Sequence, residues 1–139
     1  MTHLDTSFLV DLLREQARGA RGPATGWLEA NPERPLAVSI FAACELEAGA
    51  ARATHVAREQ LRVRSVLDAV TVVYPDERFA PRYGGALAAI SRAGRSISTM
   101  DLLIATVALV EGAPLATANP RHFAPVPDLE IIEYRSPAA

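Results

Sequence analysis

The sequence predicts an α/β domain with a central, mostly parallel sheet of about five strands, flanked by helices on both faces. Short apolar and β-branched runs alternate with longer segments of helical spacing along the chain. Half of the 139 residues are hydrophobic and 22% are charged, which favours one compact domain and excludes a disordered chain. The lone Cys44 excludes a disulfide framework. We expect a single domain over residues 1–139, with a frayed tail at 136–139.

The first half of the chain opens with a strand-to-helix unit. Thr2 to Asp5 is predicted as a short strand, and the cap-type residues Thr6 and Ser7 precede apolar residues at helical spacing. The elements predicted next are a short helix over 25–30, a buried strand over 36–40, and two tandem helices between 41 and 67, separated near Gly49 or Thr54. Trp27 and Cys44 are expected in the core.

The second half begins with a β-branched and aromatic strand over residues 71–74, which Pro75 ends. A helix is predicted over 79–93, and a strongly apolar helix over 98–111 ends at Gly112. Two strands, at 114–118 and 130–134, complete the sheet, and a proline-rich segment around 119–128 joins them.

All fourteen basic residues are arginine, and they face sixteen acids, so the net charge is −2. This balance excludes a highly basic, histone-like binder of nucleic acid but allows a local cationic face. The start of the chain lacks a basic and apolar signal segment, and the longest apolar stretch, Leu102 to Val110, is well short of the roughly 20 residues that span a bilayer. We therefore expect a soluble cytoplasmic protein.

Three acids fall where open parallel sheets bind ligands, outside the carboxyl ends of the strands. Asp5 ends the first strand, Glu45 lies one turn into the helix after the second, and Asp101 sits in the first turn of the long apolar helix. Each also has a structural interpretation. Asp5 is a good N-cap, and Asp101 forms a capping-box pattern with Ser98. Glu45 fits a solvated helix face, although its neighbours are mostly apolar.

Considered together, the three acids indicate a metal centre. Two carboxylates about 4 Å apart repel by about 4 kcal/mol at a protein-like dielectric, so a cluster of three is unstable without a cation. Oxygen ligands without a Cys or His cluster favour Mg²⁺ or Mn²⁺ over zinc. Such an ion orients a water nucleophile and neutralises charge on a phosphodiester. Metal-assisted phosphodiester hydrolysis is therefore the predicted reaction class.

Four segments in order along the chain carry a resemblance to a known family. They are His3-Leu4-Asp5-Thr6-Ser7, Ala43-Cys44-Glu45-Leu46, Ser98-Thr99-Met100-Asp101-Leu102-Leu103-Ile104-Ala105, and Leu115-Ala116-Thr117-Ala118-Asn119 with Phe123. They resemble the PIN-domain nucleases, and in particular the VapC toxins of bacterial type II toxin–antitoxin systems. Each segment alone is weakly specific, but the ordered set is strongly so and covers nearly the whole chain.

The resemblance implies a role for each matching position. Asp5, Glu45 and Asp101 take the places of the family's catalytic, metal-binding carboxylates, and Asn119 matches its polar position after the fourth strand. The positions whose hydroxyls support the acids are Thr6, Ser7 and Thr117. The resemblance also implies cleavage of RNA with Mg²⁺ or Mn²⁺, a homodimer, and silencing by a cognate VapB-like antitoxin.

One position departs from the family pattern. Many VapC-like sequences carry an acid directly before the phenylalanine of the last segment, whereas His122 precedes Phe123 here, and the nearest downstream acid is Asp128. The departure leaves open a fourth carboxylate and the number of metal ions. We interpret His122 as an exposed loop residue, with contact to metal, water or phosphate as the alternative.

Two surfaces are candidates for binding partners. An acidic site that receives RNA needs a cationic rim, and Arg92, Arg95 and Arg121 are the candidates, with ordinary solubilising surface as the alternative for each. Small residues between 41 and 67 permit either close helix packing or a groove for a partner helix. In the family this region contributes to antitoxin binding.

Two other functions compete with a metal-dependent endoribonuclease. Signalling receivers and aspartyl-phosphate phosphatases usually need a lysine near the phosphoryl group, and this chain has none. The hypothesis of a PIN-like protein that binds partners without cleaving RNA stays open because of His122.

Without the three candidate ligands, thirteen acids face fourteen arginines, so the sequence predicts an anionic pocket in a slightly cationic body.

Overall fold

The computed structural model describes residues 1–135, and the predicted frayed tail lies outside them. The strands are β1 (Thr2–Leu4), β2 (Leu36–Ser39), β3 (Thr71–Val73), β4 (Leu115–Thr117) and β5 (Ile131–Glu133). The helices are α1 (Thr6–Arg18), α2 (Pro23–Ala30), α3 (Ile40–Ala51), α4 (Val56–Asp68), α5 (Phe79–Arg92), α6 (Thr99–Glu111) and α7 (Pro120–Phe123). All five strands pair in parallel, which confirms the predicted fold class.

Strand β1 occupies the centre of the sheet, whose order is β3-β2-β1-β4-β5. Its residue His3 pairs with Ala37 of β2 on one side and with Leu115 of β4 on the other. Because the strands are parallel, their carboxyl ends meet at one edge. Asp5, which follows β1, therefore lies beside Thr117 at the end of β4.

The helices that lead away from this edge begin at side-chain caps. Asp5 accepts a hydrogen bond from the amide of Phe8 at the start of α1, and Ser98 accepts one from the amide of Asp101 at the start of α6. Both helices end at a glycine in the left-handed region, Gly19 with φ 65° and Gly112 with φ 63°. The caps thus fix the positions of Asp5 and Asp101 at the starts of α1 and α6.

The core is formed by apolar side chains from the sheet and from both groups of helices. Helix α1 contacts α2, α3 and α4, while α5 pairs with α6. The largest fully buried apolar residues are Leu4, Phe8, Leu9, Val38, Ile90, Leu102, Ile104, Leu115 and Phe123. Within residues 1–135, no helix is long and apolar enough to cross a membrane.

Two local predictions differ from the structure, and a third, the break between the tandem helices, is confirmed at one of its two predicted positions. The tandem helices separate at residues 52–55, so the break falls at Thr54, and Gly49 lies within α3. The proline-rich segment contains the short helix α7, which the sequence analysis missed. Cys44 is exposed rather than buried, because Ala42, Ala43, Leu46 and Ala50 form the buried face of α3 and position 44 lies on the opposite side.

The core position predicted for Trp27 is confirmed only in part. Its side chain is half-buried against the core, and its ring meets the ring of Phe8 edge-on, with 5.7 Å between centroids. The guanidinium of Arg34 lies 5.7 Å from the Trp27 ring centroid on the more open side.

Candidate metal centre

Asp5 lies at the carboxyl end of β1 and is only 3% exposed. One carboxylate oxygen accepts hydrogen bonds from the Ser7 hydroxyl at 2.7 Å and from the Phe8 amide at 2.9 Å. The other accepts from the Thr117 hydroxyl at 2.5 Å. The structure therefore confirms that Asp5 caps α1, and it also holds this carboxylate rigidly at the edge of the sheet where a ligand would bind.

The electrostatic environment of Asp5 disfavours its negative charge. Burial raises the pKa of the Asp5 carboxyl above its usual value, and the nearby Asp101 carboxylate raises it further. Hydrogen bonds from Thr117, Ser7 and Phe8 lower the pKa but do not compensate for burial. A cation placed beside Asp5 would remove this imbalance.

The two hydroxyls that support Asp5 are themselves held by backbone groups. The Ser7 oxygen accepts a hydrogen bond from the Ala118 amide at 2.9 Å, and the Thr117 oxygen accepts one from the Asn119 amide at 2.9 Å. These contacts join the start of α1 to the end of β4, across more than a hundred residues of sequence. Both hydroxyls thus have the positions expected of groups that orient a metal ligand.

Glu45 projects from the second turn of α3 and is half-buried. The Thr6 hydroxyl donates a hydrogen bond to its carboxylate at 2.6 Å. Because Thr6 directly follows Asp5, this bond brings Glu45 to the same edge of the sheet. The structure therefore does not place Glu45 on a free solvated face.

Asp101 lies in the first turn of α6, and its side chain is 27% exposed. The Nδ1 atom of His122, on the short helix α7, lies 3.6 Å from its Oδ2 atom. From sequence, His122 was interpreted as an exposed loop residue. Only its position next to Phe123 in the last segment indicated a role at the site. The structure instead brings it to one of the three candidate acids.

The remaining candidates surround this centre at different distances. Asn119 is exposed directly after β4, and Arg121 shares an open cavity with Asp101. Arg92 and Arg95 are exposed at and beyond the end of α5, outside the set of residues that line this cavity. Asp128 lines a different cavity, beside α5, and therefore does not supply a fourth carboxylate to the centre.

The donor set fits a hard divalent cation in kind, because its oxygens come from carboxylates. In spacing the fit is incomplete: among residues 1–135, no group of three Asp, Glu, His or Cys side chains is arranged to hold a metal ion as it stands. The arrangement is therefore one rigid carboxylate, Asp5, with Asp101 and Glu45 on adjoining helices.

Known proteins resemble this chain in sequence and in fold. Residues 3–129 match the family model described as PIN domain. The ribonuclease VapC19 of Mycobacterium tuberculosis is 36% identical over 134 residues, which cover 94% of this chain and 98% of that protein. The chain belongs to the PIN-domain family and is VapC-like. The predicted resemblance is thereby confirmed.

One further sequence relative and one solved structure resemble this PIN domain. The ribonuclease VapC1 of Haemophilus influenzae is 28% identical over 127 residues, covering 91% of this chain and 92% of that protein. A chain in the crystal structure of VapBC2 from Rickettsia felis, bound to a DNA fragment from their promoter, superposes with a TM-score of 0.85 at 23% identity. The superposition covers 94% of this PIN domain and 96% of that chain, which shows a shared fold.

Proposed function

We propose that this PIN domain is an endoribonuclease that hydrolyses RNA phosphodiester bonds with Mg²⁺ or Mn²⁺ and acts as the toxin of a type II toxin–antitoxin pair. The observation that carries the proposal is the buried Asp5 carboxylate, held by three hydrogen bonds and facing a second carboxylate, Asp101. Relatives named VapC ribonuclease support the reaction.

In this proposal Asp5, Glu45 and Asp101 hold the ion, and Asn119 is a further candidate oxygen ligand. When bound, a divalent ion orients a water molecule for attack on phosphorus and neutralises charge on the phosphodiester. Ser7 and Thr117 keep the Asp5 oxygens oriented, and the Thr6 hydroxyl does the same for Glu45. The oxygens of Asp5 and Glu45 are therefore oriented before RNA arrives, and binding of the metal ion would bring the three carboxylates together.

Cleavage of a fluorescent oligoribonucleotide tests the reaction. We expect cleavage with Mg²⁺ or Mn²⁺, none in EDTA, and a loss of at least about a hundredfold in Asp101→Asn. Asp68→Asn, which neutralises an exposed acid at the end of α4, is the matched control and should cleave like the parent. Equal cleavage by the parent in EDTA would contradict a metal mechanism.

A PIN-like protein that binds partners without cleaving RNA is the second candidate. The observation in its favour is that, across the described residues, no three acids are spaced to share an ion. The same assay separates the two candidates. If the purified parent leaves RNA intact with both metals while remaining folded, the binding role is the better proposal.

The proposed antitoxin site is a groove of about 450 Å³ between α1, α3 and α4. Apolar residues form its floor, the cations Arg14 and Arg62 lie at its sides, and Glu45 connects it to the metal centre. Arg62 is paired with Glu59 of its own helix, and Arg14 makes no ion pair among residues 1–135, so a partner helix with an apolar face and an acid opposite Arg14 would match this surface. The crystal structures titled VapBC support a partner of the VapB kind for the chains that they contain.

Gly49 provides a test of this groove, because a Cβ added there meets nothing within 4 Å. Gly49→Leu should fill the groove, keep RNA cleavage, and abolish inhibition by a cognate VapB-like antitoxin. Gly84→Leu, at an equally open glycine on α5, is the control and should stay inhibited. Inhibition of Gly49→Leu at the parent's antitoxin concentration would reject the groove.

A homodimer is also proposed, and the family resemblance supports it. Light scattering of the purified protein measures its mass in solution. A mass near twice 14.9 kDa is expected, and a value near 14.9 kDa would reject the dimer.

A further inference from the structure

An open cavity of about 490 Å³ adjoins the metal centre at Asp101. Its lining residues are Ser96, Ile97, Ser98, Asp101, Arg121 and His122. The Asp101 carboxylate lines it together with the Arg121 and His122 side chains at the start of α7. The cavity therefore places cationic and polar groups beside Asp101.

The two basic side chains in this cavity are available to a ligand. The side chain of His122 is 61% exposed, and its Nδ1 atom lies 3.6 Å from Asp101, beyond hydrogen-bond distance. Arg121 is exposed and makes no ion pair within the part of the chain that the structure describes. Arg121 thus lies beside Asp101 without an ion-pair partner among residues 1–135, and its charge is available to an anionic ligand.

The chemistry of these groups favours an anion over a second cation. A guanidinium does not ligate metal ions, and its planar donors match the oxygens of a phosphate. An imidazole always carries at least one N–H donor, whatever its protonation state. The hydroxyls of Ser96 and Ser98 add further donors.

We propose that Arg121 and His122 bind a backbone phosphate of the RNA substrate immediately beside the metal centre. This inference rests on the proposed ribonuclease function and assigns the residue at the departure from the family pattern, His122, to substrate rather than to metal. Arg121 supplies charge, and His122 supplies an exposed N–H donor beside Asp101.

Binding without metal tests the phosphate site separately from catalysis. The probe is a fluorescein-labelled oligomer of eight uridines, titrated in EDTA at pH 7 and at several salt concentrations. Arg121→Gln should bind about tenfold more weakly, and its slope of log K against log[salt] should be smaller by about 0.7, the contribution of one phosphate contact on a single strand. Arg18→Gln removes one exposed arginine from the far end of α1 and should keep the parent's slope. Equal slopes in both variants would overturn the proposal.

Metal binding distinguishes the role of His122 from that of a ligand. His122→Ala should weaken oligomer binding several-fold, His122→Asn should restore part of it through its amide donor, and Mn²⁺ affinity by calorimetry should stay within twofold of the parent in both. A tenfold loss of Mn²⁺ affinity in His122→Ala would make His122 a metal ligand and overturn its assignment to phosphate.

The outcomes for the two proposals are separable. A parent that binds no Mn²⁺ and cleaves no RNA contradicts the ribonuclease, whereas the salt slope of Arg121→Gln in EDTA still measures the phosphate contact. A parent that cleaves RNA while Arg121→Gln and His122→Ala match it in KM and in oligomer affinity contradicts the phosphate site alone. Circular dichroism establishes that each variant is folded before either comparison is made.

Discussion

Asp5 and Glu15 are both buried carboxylates next to or within α1, with exposures of 3% and 2%, yet their pKa values shift in opposite directions. Burial raises the pKa of Asp5, and Asp101 adds to the effect. Burial also opposes the charge of Glu15, but hydrogen bonds from Thr25, Ala24 and Gly22 outweigh it and lower the Glu15 pKa. Equal solvent exposure therefore does not produce equal electrostatics.

The difference lies in what surrounds each carboxylate. Glu15 accepts hydrogen bonds from the amides of Gly22, Ala24 and Thr25 at 2.8 to 3.0 Å, at the start of α2 where the helix dipole also favours an anion. Asp5 has one amide donor and two hydroxyls, and it faces another acid. The fold itself thus stabilises the negative charge of Glu15, whereas the charge of Asp5 lacks such compensation.

Asp5→Asn is the strongest test of this contrast. The neutral side chain keeps the cap on Phe8 but offers a weaker metal ligand, so RNA cleavage with Mg²⁺ should fall by roughly a thousandfold. Thermal stability in EDTA should stay equal to the parent's or rise, because the charge that burial disfavours is gone. Cleavage at the parent's rate would remove Asp5 from the site, and a large fall in Tm would show that it is structural, like Glu15.

Glu15→Ala should have the opposite pattern. Three amides at the start of α2 lose their acceptor, which should lower the free energy of unfolding by about 3 kcal/mol and Tm by roughly 10 °C. RNA cleavage at 25 °C should match the parent's, since Glu15 contacts none of the three candidate ligands. Loss of activity in the folded variant would contradict a purely structural role.

Gly22→Ala is a second variant for the same carboxylate. A Cβ at Gly22 would lie 2.6 Å from the Glu15 Cδ atom, so the side chain must move away from its amide donors. A decrease in Tm of the same sign as in Glu15→Ala is expected from calorimetry. An unchanged Tm would show that Glu15 adapts without losing its hydrogen bonds.

The sequence predicted the Asp5 half of this contrast and missed the other half. Asp5 was recognisable because a strand end, a cap and a family segment coincide at one position. Glu15 has the local sequence of an ordinary helical acid, and nothing in the local sequence signals that the start of α2 folds back to supply its donors. The side of α3 that faces solvent was equally hidden, which is why Cys44 was expected in the core. Tertiary contacts decide both cases, and local patterns do not contain them.

Thr117→Val sharpens the comparison at the level of a single hydroxyl. The substitution removes the 2.5 Å hydrogen bond to Asp5 with little change in shape, and Mn²⁺ affinity by calorimetry should fall 10- to 100-fold. Thr106→Val is the matched control, because its buried hydroxyl donates to the Leu102 carbonyl within α6. If both variants bind Mn²⁺ as the parent does, Asp5 does not depend on Thr117 for its orientation.

The pH dependence of stability gives the smallest effect but separates the two carboxylates by sign. Glu15 has a lowered folded pKa, so its contribution is present above the unfolded pKa and is lost as pH falls through the folded value. Asp5 has a raised folded pKa, so its ionised form disfavours folding, and the penalty disappears as pH falls through that value.

In EDTA, the Tm difference from the parent should therefore be negative for Glu15→Gln and not negative for Asp5→Asn at pH 7. Both differences should move toward zero on acidification, Asp5→Asn at the higher pH because its carboxyl protonates first. A negative Tm difference for both variants at pH 7 would mean that the fold stabilises the charge of both carboxylates. The electrostatic argument for a metal ion beside Asp5 would then fail.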